Sequence, residues 1–193
     1  MTKFQTKQAP CPNCGASVAV HLLTSTNPFG TRYTDFRQDA VGFQPRKLMI
    51  ALCDDWKAGG YTHEFKVQNV LPEDVRRKIR EHISPTLTEE RAPLSRVYAI
   101  RARIADWLGK PPLEIADSYL KAAWCCQDED EAERELEYRR VAISYYKDAI
   151  NGDTLEPAGV PNITYLVGEL YRRTGDAAQA REWFDKVLAN AKT

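Results

Sequence analysis

In the first seventy residues, apolar side chains recur at every second position in short runs. Val18, Val20 and Leu22 alternate with Ser17, Ala19 and His21, and Tyr61, His63, Phe65 and Val67 alternate with Thr62, Glu64 and Lys66. Leu48 to Leu52 is a compact apolar run between them. A period of two sends successive side chains to opposite faces of an extended chain, so Ser17 to Leu23, Leu48 to Leu52 and Tyr61 to Val67 predict short strands. Asn27-Pro28-Phe29-Gly30, Gly42 to Pro45 and Gly59-Gly60 punctuate them as turns and loops. A compact ribbon or meander is the expected arrangement.

After Leu71 the period becomes helical. Pro72-Glu73-Asp74 is a first-turn signature that opens a short basic helix to about Ile83, and Pro85 to Pro93 reads as a linker. From Leu94 to Gly109, Val97, Ile100, Ile104, Trp107 and Leu108 repeat at steps of three and four. Pro111-Pro112 enforces a turn. Leu113 to Cys126 predicts a second helix of this series and Asp128 to Ile150 a long third one carrying Leu136, Ile143, Tyr146 and Ile150, ended by Asn151-Gly152-Asp153. Pro161 to Ala191 predicts a helical hairpin broken at Thr174-Gly175-Asp176. The expected class is α+β, mainly α: residues 1–71 form a small zinc-ribbon-like β module and residues 72–193 a tetratricopeptide-like α-helical domain.

The repeat assignment rests on Gly168, Tyr171, Gly175, Asp176, Ala180 and Phe184, which fall at the spacings of a repeat of about 34 residues. Gly168 and Ala180 are small where two helices cross, Tyr171 and Phe184 fill the space between them, and Gly175-Asp176 makes the turn and caps the next helix. A lone repeat cannot bury its own face, so the earlier helices must supply neighbours. The alternative is a generic antiparallel bundle with one repeat-like hairpin. The surface of such an array binds peptides or partner proteins, and Tyr138, Tyr145 and Tyr146 on the long helix are candidate anchors, although tyrosines at helical spacing also build cores.

Composition narrows the function classes. The chain has 193 residues, 43% of them hydrophobic, with 27 basic residues balancing 27 acidic ones, as in soluble globular proteins and unlike disordered chains. No run approaches the ~18 consecutive apolar residues of a membrane span, and the first ten residues lack the apolar core of a secretory signal, so no membrane association and a cytoplasmic location are expected. The charge is uneven: residues 128–193 carry nine basic against fourteen acidic residues, seven of the acids falling between Asp128 and Glu137. That run reads as a solvated face opening a helix. Without a matching basic block nucleic acid is disfavoured as a partner, and the mildly basic β module keeps a metal-dependent, nucleic-acid-associated or regulatory role as the alternative.

The cysteines bring candidate chemistry. Cys11-Pro-Asn-Cys14-Gly15 has the form of a zinc knuckle, in which two thiolates reach one ion and the glycine lets backbone amides turn toward the sulfurs. A closed tetrahedral site needs four ligands. Cys53, at the end of an apolar strand, is placed as a third, but the residue three further on is Trp56. His63 on the next strand is the expected fourth ligand, with His21, Asp54 and Asp55 as weaker stand-ins. The opposing reading is a decayed site in which Trp56 and apolar neighbours fill the place of the ion. Cys125 and Cys126, adjacent in a helical stretch, read as small buried hydrophobes. No phosphate-cradling glycine loop, nucleophile elbow or metal-binding histidine pair is present, and the singleton histidines have no sequence-placed partners, so no catalytic residues are assigned and an enzyme is the least favoured class.

These features together resemble the bacterial domain-of-unknown-function family 2225. The likeness runs through Cys11-Pro-Asn-Cys14, Tyr33-Thr-Asp35-Phe36, Cys53 with Phe65, Ala122-Ala123-Trp124, Tyr165 to Asp176, and Trp183-Phe184. The resemblance implies a bacterial cytoplasmic protein pairing cysteine knuckles with a tetratricopeptide-like half, in a family without an established activity. This chain departs from it where Cys53-Asp54-Asp55-Trp56 replaces a second Cys-Pro-x-Cys knuckle. The resulting expectation is a protein-interaction or adaptor module, with a structural zinc site at Cys11, Cys14, Cys53 and His63.

Overall fold

The computed structural model describes residues 1–55, 57–66, 68–87, 92–152 and 155–190. Its N-terminal part holds two separate antiparallel hairpins and not one meander: β1 (Lys3–Pro10) pairs with β2 (Ser17–Ser25), and β3 (Ile50–Leu52) with β4 (Gly59–Tyr61). β1 has no alternating apolar pattern and was not foreseen. It is exposed along most of its length and is held by main-chain bonds to β2, whose Val18 and Val20 carry the buried face.

The strand expected over Tyr61 to Val67 is corrected: the chain leaves β4 at Tyr61 and turns through a 3-10 helix, Thr62–Glu64, with Val67 outside the described residues. A strand would point Tyr61 and Glu64 to opposite faces. Instead a Glu64 carboxylate oxygen accepts the Tyr61 N–H at 2.7 Å, and the same carboxylate pairs with the buried Arg101 guanidinium at 2.7 Å. Bringing that carboxylate inward requires the turn.

The mainly α remainder follows the predicted periodicity. α1 (Glu73–Lys78) widens into a π-helical turn, Ile79–Ile83, and buries Val75, Ile79 and Ile83 under the β part. Ser84–Thr86 adds a 3-10 turn to the expected linker, of which residues 88–91 lie outside the described residues. α2 (Leu94–Trp107), α3 (Pro112–Asp128), α4 (Ala132–Asn151), α5 (Val160–Arg173) and α6 (Ala177–Asn190) complete the chain. The helix expected to start at Asp128 starts at Ala132, because residues 129–131 form a turn with Asp130 at φ +57°. Asp153, expected to help end that helix, lies outside the described residues.

Three inter-helix turns close alike. Gly109, Asp130 and Gly175 take positive φ, and the next residue's N–H reaches five residues back: Lys110 to Ala105, Glu131 to Cys126 and Asp176 to Tyr171, each at 3.0 Å. This is the Schellman closure, which satisfies helix-end carbonyls while reversing the chain. In the last hairpin the Gln179 N–H donates to the Asp176 carboxylate at 3.1 Å, capping α6. A Cβ built on Gly168 would lie 2.8 Å from the Phe184 ring, so the close helix crossing inferred from spacing is present.

Two of the four apolar clusters among the described residues are the largest. One gathers Leu120, Ile143, Tyr146, Leu166, Leu170 and Trp183 from α3 to α6. Another joins Val18, Val20, Cys53 and Phe65 of the β part to Val75, Ile79, Ile83, Ile100 and Ile104 of the helices. Between β2 and β3 a long loop lies on the helical half. The acidic run is largely solvent-facing as expected, with Asp128, Asp130, Glu133 and Glu137 exposed, but Asp128, Glu129 and Glu135 also take partners. Asp128, although exposed, takes a two-pronged contact from the buried Arg46, at 2.7 to 3.1 Å. Glu129 accepts the Ser95 N–H, and Glu135 pairs with the buried Arg139. No helix among the described residues is long and apolar enough to cross a membrane.

A candidate metal centre at two matching turns

Beyond β1 the chain makes a tight turn in which the Cys11 N–H donates to the Ala16 carbonyl and the Gly15 N–H to the Cys11 carbonyl, both at 2.8 Å. Gly15 stands at φ +78°, and the Asn13 N–H points at the Cys11 sulfur from 3.4 Å. Beyond β3 the pattern recurs. The Cys53 N–H donates to Ala58 at 3.0 Å, the Lys57 N–H to Cys53 at 2.7 Å, and Lys57 takes φ +55°. Only glycine adopts such a φ freely, so a lysine holding it shows that the surrounding turn dictates the backbone. Cys53 therefore matches Cys11, Lys57 matches Gly15 and Ala58 matches Ala16. By count the residue matching Cys14 is Trp56, whose placement lies outside the described residues.

The two turns bring three sulfurs together. The Sγ atoms of Cys11, Cys14 and Cys53 all lie within 4.8 Å of one another, with Cys14 and Cys53 at 3.6 Å. Cys11 and Cys53 are buried in the shared apolar cluster, and Cys14 is half-buried at its edge. Burial chiefly pushes the Cys11 thiol up to about 12, opposed by the Asn13 and Cys14 N–H groups and reinforced by the neighbouring Cys53. A thiol buried as Cys11 is stays neutral unless a cation offsets its charge. The donor set fits a thiophilic ion such as zinc: sulfurs ~2.3 Å from a tetrahedral centre sit roughly 3.8 Å apart, between the 3.6 Å of the Cys14–Cys53 pair and the 4.8 Å that bounds all three.

His63 does not join them. It is exposed in the Thr62–Glu64 turn with its ring stacked on Tyr61, centroids 5.7 Å apart. His21 meets the Thr6 hydroxyl at 3.0 Å, and Asp54 and Asp55 are exposed. Cys125 and Cys126 are buried in the helical half, as expected, and burial raises their thiols to about 12 and about 11. Sequence reasoning missed Asn13, inside the first turn, which is 4% exposed with both amide atoms unpartnered among the described residues.

The helices carry a second feature. Tyr119 of α3 lies between Tyr138 and Tyr145 of α4, with ring centroids 6.1 Å apart on either side. Tyr119 and Tyr138, with Arg96 and Arg103 of α2, line a groove of about 360 Å³. Tyr146, a candidate anchor for which the core reading was the alternative, is fully buried with its hydroxyl donating to Asp117 at 2.7 Å, as a core tyrosine.

A family model described as "Uncharacterized protein conserved in bacteria (DUF2225)" matches residues 4–193. Comparison with curated proteins and with solved structures finds no match.

Proposed function

The chain belongs to the bacterial DUF2225 family, and from that premise we propose that it is a protein-interaction or adaptor module. In this reading a structural thiolate metal centre consolidates the N-terminal part, and the tetratricopeptide-like helices present a binding groove to a protein or peptide partner. The observation that carries it is the half-buried row Tyr138, Tyr119 and Tyr145 beside Arg96 and Arg103. Tyrosine and arginine are the side chains that most often anchor partners, because each combines apolar area with directional polar groups.

The test is a photo-crosslinking side chain placed at Arg103 in the full-length protein in bacterial cells, with Glu182 on exposed α6 as control. A partner trapped from the Arg103 position only, and bound at least tenfold more weakly by Tyr119→Ala, supports the groove. Equal trapping from both positions removes it.

A second surface follows from exposed apolar side chains. Phe4 and Phe43 pack with ring centroids 6.3 Å apart and are 45% and 50% exposed, with Val41 and Phe29 nearby in the chain at 60% and 80%. Apolar exposure of this kind commonly marks contact surfaces. If Phe43→Ser abolished partner binding while Tyr119→Ala left it intact, the β part and not the helices would hold the interface.

A further inference from the structure

We propose that the metal centre is a three-thiolate site, held by Cys11, Cys14 and Cys53, whose fourth coordination position takes a small exogenous donor: water, exchangeable for a small thiol. The proposal rests on the metal-centre reading above and goes beyond it in naming the ligand count and the class of molecule admitted.

The matching backbone bonds of the two turns carry the argument. The Cys11 turn supplies its ligands from its first and fourth residues, Cys11 and Cys14. The Cys53 turn has the same bond pattern and the same positive φ at its fifth residue, so by count along the chain its fourth residue corresponds to Cys14. That residue is Trp56, whose indole offers a hydrogen-bond donor and no lone pair for a metal. Among the described residues no further Cys, His, Asp or Glu joins the three sulfurs, and His63 is exposed against Tyr61. Protein-bound zinc is closed by four protein ligands or left with three and an exchangeable fourth. Among the described residues this chain presents three.

Two observations bear on what enters. Cys14 is half-buried while Cys11 and Cys53 are buried, so the cluster meets solvent on the Cys14 side. Asn13, between the two knuckle cysteines, keeps the Nδ2 and Oδ1 of its side-chain amide unpartnered among the described residues at 4% exposure. A buried donor and acceptor of this kind call for a partner, which a bound water provides for both atoms and a bound thiolate, an acceptor, for the Nδ2–H alone. Thiolate surroundings favour a soft donor. Exchange is a substitution without electron transfer: the entering thiol gives its proton to solvent, its sulfur takes the coordination position, and one water leaves.

The experiment uses the full-length protein, reduced with a phosphine and loaded with Zn²⁺ or Co²⁺. X-ray absorption counts the sulfurs on zinc, and the thiolate-to-cobalt charge-transfer band follows ligand exchange. Three sulfurs and one light atom are expected, becoming four sulfurs on titration with β-mercaptoethanol and returning to three on dialysis. Trp56→Cys is expected to show four sulfurs without added thiol and no response to it. Should that variant fail to fold, the thiol titration of the parent protein decides alone. A parent spectrum that does not respond to β-mercaptoethanol, with the metal bound, means a protein group fills the fourth position and overturns the proposal. Failure to take up either metal overturns the metal-centre reading itself, and is distinguished by elemental analysis before any spectrum is recorded.

Discussion

The hydroxyl of Thr34 donates to the carboxylate of Glu169, a residue 135 positions further along the chain. Thr34 belongs to the tight Tyr33 to Arg37 turn, where Phe36 takes φ +64° and packs against Tyr165 of α5. The next residue, Asp35, is 1% exposed, and one carboxylate oxygen meets Trp124 of α3 at 3.0 Å, Arg139 of α4 at 3.1 Å and Arg173 of α5 at 3.5 Å. A single turn of the N-terminal part thus touches three helices through buried charge. Removing one member of such a network strands the others without compensation, so the helical half and the loop are expected to lose order together.

Glu169 makes the coupling measurable by pH. Its burial would raise its pKa, but hydrogen bonds from Arg172, Thr34 and Arg173 outweigh that and hold it at about 2. A depressed carboxylate adds stability that is complete above the unfolded value of ~4.3 and is lost as pH falls toward the folded value. The contribution is on the order of 3 kcal/mol. Urea unfolding of the parent should therefore weaken from about pH 4.5 down to pH 2, and Glu169→Gln should remove that slope while lowering stability at neutral pH. Equal slopes in the two proteins would contradict the assignment.

Arg46 anchors the same long loop further on. Its guanidinium, 9% exposed, spans Asp39 at 2.7 Å and Asp128 at 2.7 Å, while its own carbonyl accepts the Tyr98 hydroxyl at 2.7 Å. Arg46→Met leaves Asp39 and Asp128 without their partner and should cost about 3 kcal/mol. In a double-mutant cycle with Asp128→Asn the two losses should be less than additive. Strict additivity would show that the contact carries no coupling energy.

At Gly168 the prediction is steric. The Phe184 ring and the Trp183 Cβ, 3.3 Å from where a Cβ would sit, leave no volume for a side chain. Gly168→Leu should cost about 3 kcal/mol or more through overpacking, lowering the melting midpoint by roughly 6 to 12 °C. A variant melting within about one degree of the parent would show that α5 and α6 do not cross here as described.

Metal loading should be visible as stability. With free zinc at about a thousand times Kd the folded state gains ~4 kcal/mol, roughly 10 °C in the midpoint for a chain of this length. Chelation should reverse the gain, and Cys53→Ser should reduce it sharply by removing one of three sulfurs. A zinc-dependent rise that survives Cys53→Ser unchanged would place the ion elsewhere.

What the sequence determined by itself was periodic or local. Helices α2 to α6 follow from apolar steps of three and four closed by Gly109, Gly175 and prolines, because helix formation and its termination are decided within a few residues. The Gly168 and Phe184 spacing and the Cys11 knuckle were legible for the same reason: each is a short segment whose chemistry needs particular side chains at fixed offsets. Tertiary structure alone decided the rest. β1 carries no apolar signal because its bonds are made by main chain, and Tyr61 to Val67 alternates like a strand yet bends because Glu64 answers a guanidinium on α2. Asp128 reads as a solvated acid and nothing beside it in the chain announces its pairing with Arg46, 82 positions earlier. Convergence of Cys53 with Cys11 and Cys14, and the exclusion of His63, depend likewise on where two hairpins dock against α1 and α2. A residue's neighbours within one turn are written in the order of the chain, whereas its partners across the core are set by which faces must be buried together.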